Sequence, residues 1–346
     1  MRRGLMAWNE AELPRAVLDA RLWGLRALMQ KQGLDALVVY TNIARGAAVC
    51  WLTGFTPYWN EGLLLVPAKG DMLFATALSK RVADWIESVM PAGQVVTTPK
   101  PSALIGAEIA KQGGSSIGVL ELDDFPAGHA QAILQAVAGA KLIDASALFA
   151  EARISMDEAE RGLLRKADRL AIEACAVVDL KSSDAKSFIA PCETVARLGG
   201  AEECFAQVVE DLQKNTAALR ADGMGHLGAS FAARISLAYK GVWTRHVRSF
   251  ARDQAVQSIF DSAQSHFAAF HFDTGRALGA QLRQYFAAHG ELTDFVVEQA
   301  RGTYPLAPVA NLAESADGFH PGNPFVLHVE LQVGGFRWIA ARMMGL

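Results

Sequence analysis

The stretch from Arg234 to Phe250 restricts what this chain can become more than any other part of it. Two short runs that mix apolar and polar residues flank Tyr239-Lys240-Gly241. Glycine supplies the positive φ that a tight reversal needs, so the stretch predicts a β-hairpin. With the turn centred between Tyr239 and Lys240, Arg234 and Arg245 stand opposite each other on the two strands. Directly opposed side chains have Cβ atoms about 4.5–5.5 Å apart, and like charges at that separation repel. A hairpin with only a surface to cover gains nothing from such a pair. Two arginines converging on one anion do gain from it.

Around that hairpin lies enough chain for two domains: 346 residues, 51% of them hydrophobic. The net charge of −3 gives no generic attraction to nucleic acid or to an anionic membrane. Cys50, Cys175, Cys192 and Cys204 are scattered without a CxxC pair, as expected of reduced, buried thiols in a cytoplasmic protein. The start is basic and then apolar, but Glu10 and Glu12 interrupt it before a signal-peptide core forms. No apolar run approaches the ~20 residues of a transmembrane helix. The expectation is a cytoplasmic protein with neither membrane nor nucleic acid as partner.

In chain order, Leu13, Val17, Leu18, Leu22, Leu25, Leu28 and Met29 recur at helical spacing, and Gly33 ends that helix. Strands are expected at 35–40, 51–55, 63–66, 71–74, 94–97 and 117–121, with helices at 80–89 and 126–138. This alternation predicts an α/β domain with a mixed sheet. Ser155 and Glu158 have the spacing of a capping box, which opens a new helix reaching about Asp179. The domain boundary is therefore set at 150–155, giving domains 1–152 and 153–346. Residues 183–220 read as further helices, as do 253–271 and 276–289. Residues 302–311 read as irregular, and 325–333 and 335–341 as the last strands.

The hairpin also resembles a known one. In metallopeptidases of the creatinase, Xaa-Pro aminopeptidase and prolidase superfamily the pattern is roughly Asp-x-Gly-x-x-Tyr-x-Gly-Tyr-x-x-Asp-x-Thr-Arg-Thr-Phe. Tyr239, Gly241, Arg248, Ser249 and Phe250 fall on matching positions, while the two metal-ligand aspartates fall on Arg234 and Arg245. Gly33 to Val39, Asn42-Ile43 and Leu52 to Phe55 resemble, in order and spacing, the creatinase amino-terminal domain. Arg153 and Glu158 resemble the joint between the two domains. The resemblance implies an α/β domain with a mixed sheet followed by a pita-bread (creatinase/aminopeptidase) domain. It also implies a dimer, either of this chain or with a paralogue.

What the resemblance implies about chemistry is mostly loss. The family's dinuclear site uses two Asp, one His and two Glu. His328 falls on one glutamate position and Ile339 on the other, and 301–312 contains no histidine, with Tyr304 the nearest candidate for that place. A catalytic metal needs about three protein ligands, so no metal and no other cofactor is expected. His320, His328 and Glu330 do not make a ligand set either. Two permanent cations where carboxylates are usual suit an anionic ligand. His328, with an unperturbed pKa of about 6.5, is the candidate general acid or base. Arg234, Arg245, Tyr304, Glu330, Tyr58 and Trp59 are the candidate substrate contacts. The arginines have an open alternative, pairing with buried acids such as Glu330 or Asp253. His246 alternates away from Arg245 and is expected outside the pocket, and Arg248 is expected to be structural. Two functions follow. One is a metal-independent hydrolase or lyase of the creatinase type, acting on a C–N bond of a small carboxylate-bearing molecule. The other is a catalytically inactive relative that binds a peptide or small anion, or serves as partner subunit of an active paralogue.

Overall fold

The computed structural model describes residues 8–57, 61–181, 184–214, 225–311 and 319–346. By its contacts the chain divides into one unit of Met1–Glu160 with Arg301–Pro305, and another of Arg161–Ala300 with Leu306–Leu346. No helix among the described residues is long and apolar enough to cross a membrane.

The first unit runs α1 (Arg15–Lys31), β1 (Ala36–Thr41), α2 (Ala47–Thr53), β2 (Gly62–Pro67), β3 (Leu73–Thr76), α3 (Lys80–Val89), β4 (Gln94–Thr97), α4 (Pro101–Lys111), β5 (Ser116–Val119), α5 (Ala127–Ala136), β6 (Lys141–Asp144) and α6 (Ser146–Ala152). Its six strands lie in the order β4-β3-β2-β1-β5-β6. β1 pairs antiparallel with β2 and parallel with β5, so the sheet is mixed, as its alternating sequence predicts. Side chains alternate across β1. Leu37 and Val39 join one apolar cluster with Leu18, Leu25 and Phe149, while Ala36 and Val38 join another with Ile105, Ile109 and Ile133. Helices therefore cover both faces.

One expectation fails here. Of residues 51–55, read as a strand, 51–53 belong to α2, which is closed by Gly54 at φ 73°. Positions 48–53 are all buried, and an apolar run buried on every side has no periodicity that separates helix from strand.

The second unit contains most of α7 (Glu158–Ala176), then α8 (Ala185–Leu198), β7 (Glu203–Val209), β8 (Ser230–Tyr239), β9 (Val242–Ala251), α9 (Gln254–Ala268), α10 (Leu278–Phe286), all but the last residue of β10 (Glu291–Arg301), β11 (Tyr304–Asn311) from its third residue, β12 (Phe325–Val333) and β13 (Phe336–Met344). Asp157 caps α7 by accepting from the Glu160 amide at 2.9 Å, and Asp253 caps α9 by accepting from Ala255 and Val256. The seven strands lie in the order β11-β10-β12-β13-β9-β8-β7. Helices cover one face: Phe267 of α9 meets Trp338 edge-on at 6.0 Å, Phe188 of α8 meets Phe231 at 6.2 Å, and Asp168 of α7 accepts from Thr244. Pairing between β9 and β13 is sparser than between β12 and β13 or β8 and β9: one residue pair, Ala341 with Val247, forms the ladder. Beside it the Ser249 hydroxyl donates to the Ile339 carbonyl at 2.7 Å and accepts from the Ile339 amide at 2.9 Å.

Two segments of this unit depart from expectation. Residues 203–209, read as the start of a helix, form edge strand β7. Residues 304–311, read as irregular, form the opposite edge strand β11, where Pro305 and Pro308 cost the least pairing.

Candidate active site

The hairpin forms, with its turn one residue later than expected. Lys240 and Gly241 take φ of 46° and 82° as a two-residue turn between the paired Tyr239 and Val242. Arg234 therefore lies opposite Val247, and Arg245 opposite Ser236, so the two arginines are diagonal rather than directly opposed. The even offset keeps both on the face of the sheet away from α7, α8 and α9. His246 points to the other face, where it is 7% exposed and burial pushes its imidazole down to about 4. Arg248 is also on that side, bonded to Asp261 at 3.1 Å and stacked over Phe250, in keeping with a structural task.

The two arginines have different surroundings. Arg245 donates from Nε to Ser236 Oγ at 2.9 Å and from Nη1 to the Glu298 carboxylate. The buried acid that pairs with it is thus neither Glu330 nor Asp253. Arg234 has no hydrogen bond or ion pair among the described residues, and its Nε is buried without a partner. Burial first, and the neighbouring Arg245 charge second, pull its guanidinium down to about 10, with Glu298 opposing. It remains a cation at neutral pH.

His328 stands on β12 opposite Val296 of β10, which places it diagonally from Glu298 on the same face. Its Nε2 lies 2.6 Å from Glu298 Oε2. Burial opposes ionisation of Glu298, but the hydrogen bond from His328 and the Arg245 guanidinium outweigh it and hold the carboxyl at about 2. Burial pushes the His328 pKa down, and Arg245 and Arg234 add to this, against the pull of Glu298. A neutral imidazole beside an ionised carboxylate carries its proton on Nε2, which leaves Nδ1 as the basic nitrogen. The result is an oriented carboxylate–imidazole dyad, locked from behind by a guanidinium.

A cavity of about 180 Å³ opens over this face, lined by Arg234, His328, Asp294, Glu330, Arg337 and apolar residues that include Val247 and Ile339. Glu330 forms a two-bond ion pair with Arg337, at 2.9 and 2.7 Å, so its charge is spent inside the wall. Asp294 is exposed at the rim, where water screens it. Among the described residues Arg234 and Arg245 share one close carboxylate, Glu298, so that the guanidiniums outnumber it by one.

Of the expected substrate contacts, the structure brings Arg234, Arg245, His328 and Glu330 together. Tyr304 is elsewhere: it belongs to the first unit, is 62% exposed and lines a cavity of that unit with Val39, Arg45 and Glu121. Tyr58 and Trp59 lie outside the described residues. Glu298 is the residue that sequence reading missed. Burial of the Cys192 thiol pushes it up to about 12, which removes it as a nucleophile.

The donor set does not fit the dinuclear metal centre of the metallopeptidases that the hairpin resembles. Two of the positions that this resemblance aligns with ligands hold guanidiniums and one holds Ile339, while His328 is already tied to Glu298. Bringing dications beside two fixed cations costs energy that one carboxylate does not offset. Among the described residues no group of three or more His, Cys, Asp or Glu side chains could hold a metal ion.

Residues 21–155 match the family model for the Creatinase/Prolidase N-terminal domain. Solved structures match nearly the whole chain. An Xaa-Pro dipeptidase from Bacillus anthracis is 17% identical with a TM-score of 0.65, covering 94% of each chain. An X-Pro aminopeptidase from Thermotoga maritima is 16% identical with a TM-score of 0.70, covering 93% of this chain and 94% of its own. This is the creatinase/prolidase fold. The same fold appears in the N-terminal domain of the FACT complex subunit SPT16 from chickpea, 14% identical with a TM-score of 0.59, covering 95% of this chain and 93% of that one. No curated protein matches the chain in sequence. At these identities the structures speak for the creatinase/prolidase fold and not for an activity.

Proposed function

We propose that the second unit is a metal-independent hydrolase acting on a C–N bond of a small carboxylate-bearing molecule. The observation that carries this is the 2.6 Å contact from His328 Nε2 to Glu298, beside an unpaired guanidinium in one cleft. Arg234 holds the substrate carboxylate, replacing the partner it lacks among the described residues. Arg245 serves a different task from the one its position suggested, since it fixes Glu298 rather than the ligand. The bond class comes from the relatives described as a dipeptidase and an aminopeptidase, both names for cleavage of a C–N bond.

In the reaction, His328 Nδ1 takes a proton from water as the water oxygen bonds to the carbon. Glu298 stabilises the imidazolium that forms. The C–N bond then breaks, and the same proton passes to the leaving nitrogen. Positioned acid–base groups of this kind contribute about 10²–10⁴-fold.

The test is a panel of small amido, ureido and guanidino carboxylates, with the released amine followed by NMR in the presence of a chelator. Turnover that survives chelation and is lost in His328→Ala and Arg234→Ala supports the proposal. Turnover that needs added Mn, Co or Zn overturns it and points to a metallopeptidase. A second reading, anion or peptide binding without turnover, is favoured by the SPT16 relative, which is described as a subunit of a complex and not as a peptidase. Arg234-dependent binding with no turnover of any member of the panel selects it. Pairing with a second copy or a paralogue is compatible with both.

A further inference from the structure

The cleft face of the sheet carries an apolar feature that neither the dyad nor Arg234 uses. Phe205 of β7 stacks on Trp243 of β9, with ring centroids 6.0 Å apart and 9° between the planes. Phe205 is 46% exposed although β7 is otherwise largely buried. Register shows which way these rings face. Phe205 lies opposite Ser236 and Gln207 lies opposite Arg234 on β8, while Trp243 precedes Arg245 by two residues on β9. Residues two apart on a strand share a face, as do cross-strand partners. The aromatic stack, Gln207 and Arg234 therefore project from the same side of the sheet as the dyad.

We propose that Phe205 and Trp243, which stand outside the cavity on the same face of the sheet beside Arg234, form the subsite for the ligand's side group, so that Arg234 takes a carboxylate bearing an aryl or similarly flat apolar substituent. The inference rests on the carboxylate reading of Arg234 given above. The spacing suits it. Phe205 stands two residues along β7 from the neighbour of Arg234, roughly 7 Å, about the reach of a carboxylate joined to a ring by two or three methylenes. The chemistry suits it as well. The unpaired guanidinium of Arg234 and the amide of Gln207 supply donors for the carboxylate. A third ring laid on the exposed stack removes its apolar face from water in the offset geometry that aromatic groups prefer. Charge thus sets where the ligand's acid sits, and the stack sets what the acid is attached to.

The experiment compares propanoate with 3-phenylpropanoate by NMR titration of the full chain, using wild type, Phe205→Ala and Arg234→Ala, each first shown to melt cooperatively. The expected result is that 3-phenylpropanoate binds wild type at least tenfold more tightly than propanoate. Phe205→Ala should erase that preference and leave the propanoate affinity unchanged. Arg234→Ala should weaken both ligands. If both acids bind equally, or if Phe205→Ala keeps the preference, the subsite is wrong while the carboxylate reading stands. If neither acid binds wild type, both fall. A change of mass in solution on Phe205→Ala, with the arene preference retained, reassigns the stack to a contact between copies of the chain and overturns the proposal.

Discussion

Glu298 and Asp168 lie against opposite faces of the same sheet, and their carboxyl groups settle at opposite ends of the carboxylate range. Burial pushes both upward. On the cleft face, His328 at 2.6 Å and Arg245 in direct contact reverse that push and bring Glu298 to about 2. On the helix-covered face, Asp168 has the Thr244 hydroxyl at 3.3 Å, the more distant charge of Arg342 and a backbone hydrogen bond from Met343, and burial wins, leaving it at about 6. The difference shows that contact between charged groups, and not depth in the fold, decides which acid stays ionised.

The contrast is easiest to break at Glu298. Glu298→Ala leaves the Arg245 guanidinium without its counter-charge and His328 Nε2 without its acceptor, and should lower stability by about 3–5 kcal/mol, read by urea unfolding at pH 7. A loss under ~1 kcal/mol would show that the clasp is not a stabilising element. The pH dependences should run in opposite directions. The folded pKa of Glu298 lies below its ordinary 4.5, so its contribution is complete above pH 4.5 and is lost as the pH falls through about 2. The folded pKa of Asp168 lies above its ordinary 3.8, so its contribution is complete below pH 3.8 and is lost as the pH rises through about 6. That loss is on the order of 3 kcal/mol, and Asp168→Asn should flatten the melting temperature between pH 4 and 7.

The two arginines sharpen the same comparison at smaller amplitude. Arg234→Gln removes a desolvated cation without a partner and should raise stability by about 1 kcal/mol while abolishing anion binding. Arg245→Gln should lower stability, and equal effects from the two would erase the distinction drawn here. The smallest change in stability belongs to His328→Gln, whose amide still donates to Glu298. It should shift unfolding by less than about 1 kcal/mol and remove any turnover.

The hairpin, its arginines and their common face were legible in the sequence, because a strand period of two fixes the face even when the turn is misplaced. The turn was misplaced because Lys240 adopts a positive φ that lysine seldom takes. Glu298 was illegible for a different reason. Its partner Arg245 lies on β9, three strands away across β12 and β13, and no local pattern reports a pairing at that range. Once β10 is recognised, the alternation Asp294, Val296, Glu298 puts the acid on the face of His328. That strand was overlooked because the proline-bearing segment after it does not look like a partner. In the first unit the mixed sheet was readable from strands separated by turn residues, and α2 was not, since burial on all sides removes the periodic signal.

The scant ladder between β9 and β13 has a mechanical consequence. Arg234 and Arg245 ride on the strands to one side of that seam, and Glu298 and His328 on the strands to the other. Only one residue pair and the Ser249 hydroxyl stitch the backbone there, with the Arg245–Glu298 pair as a strap across the top. A small shear of one half past the other would change the gap between Arg234 and His328 while breaking less backbone pairing than a shear between β12 and β13 or β8 and β9.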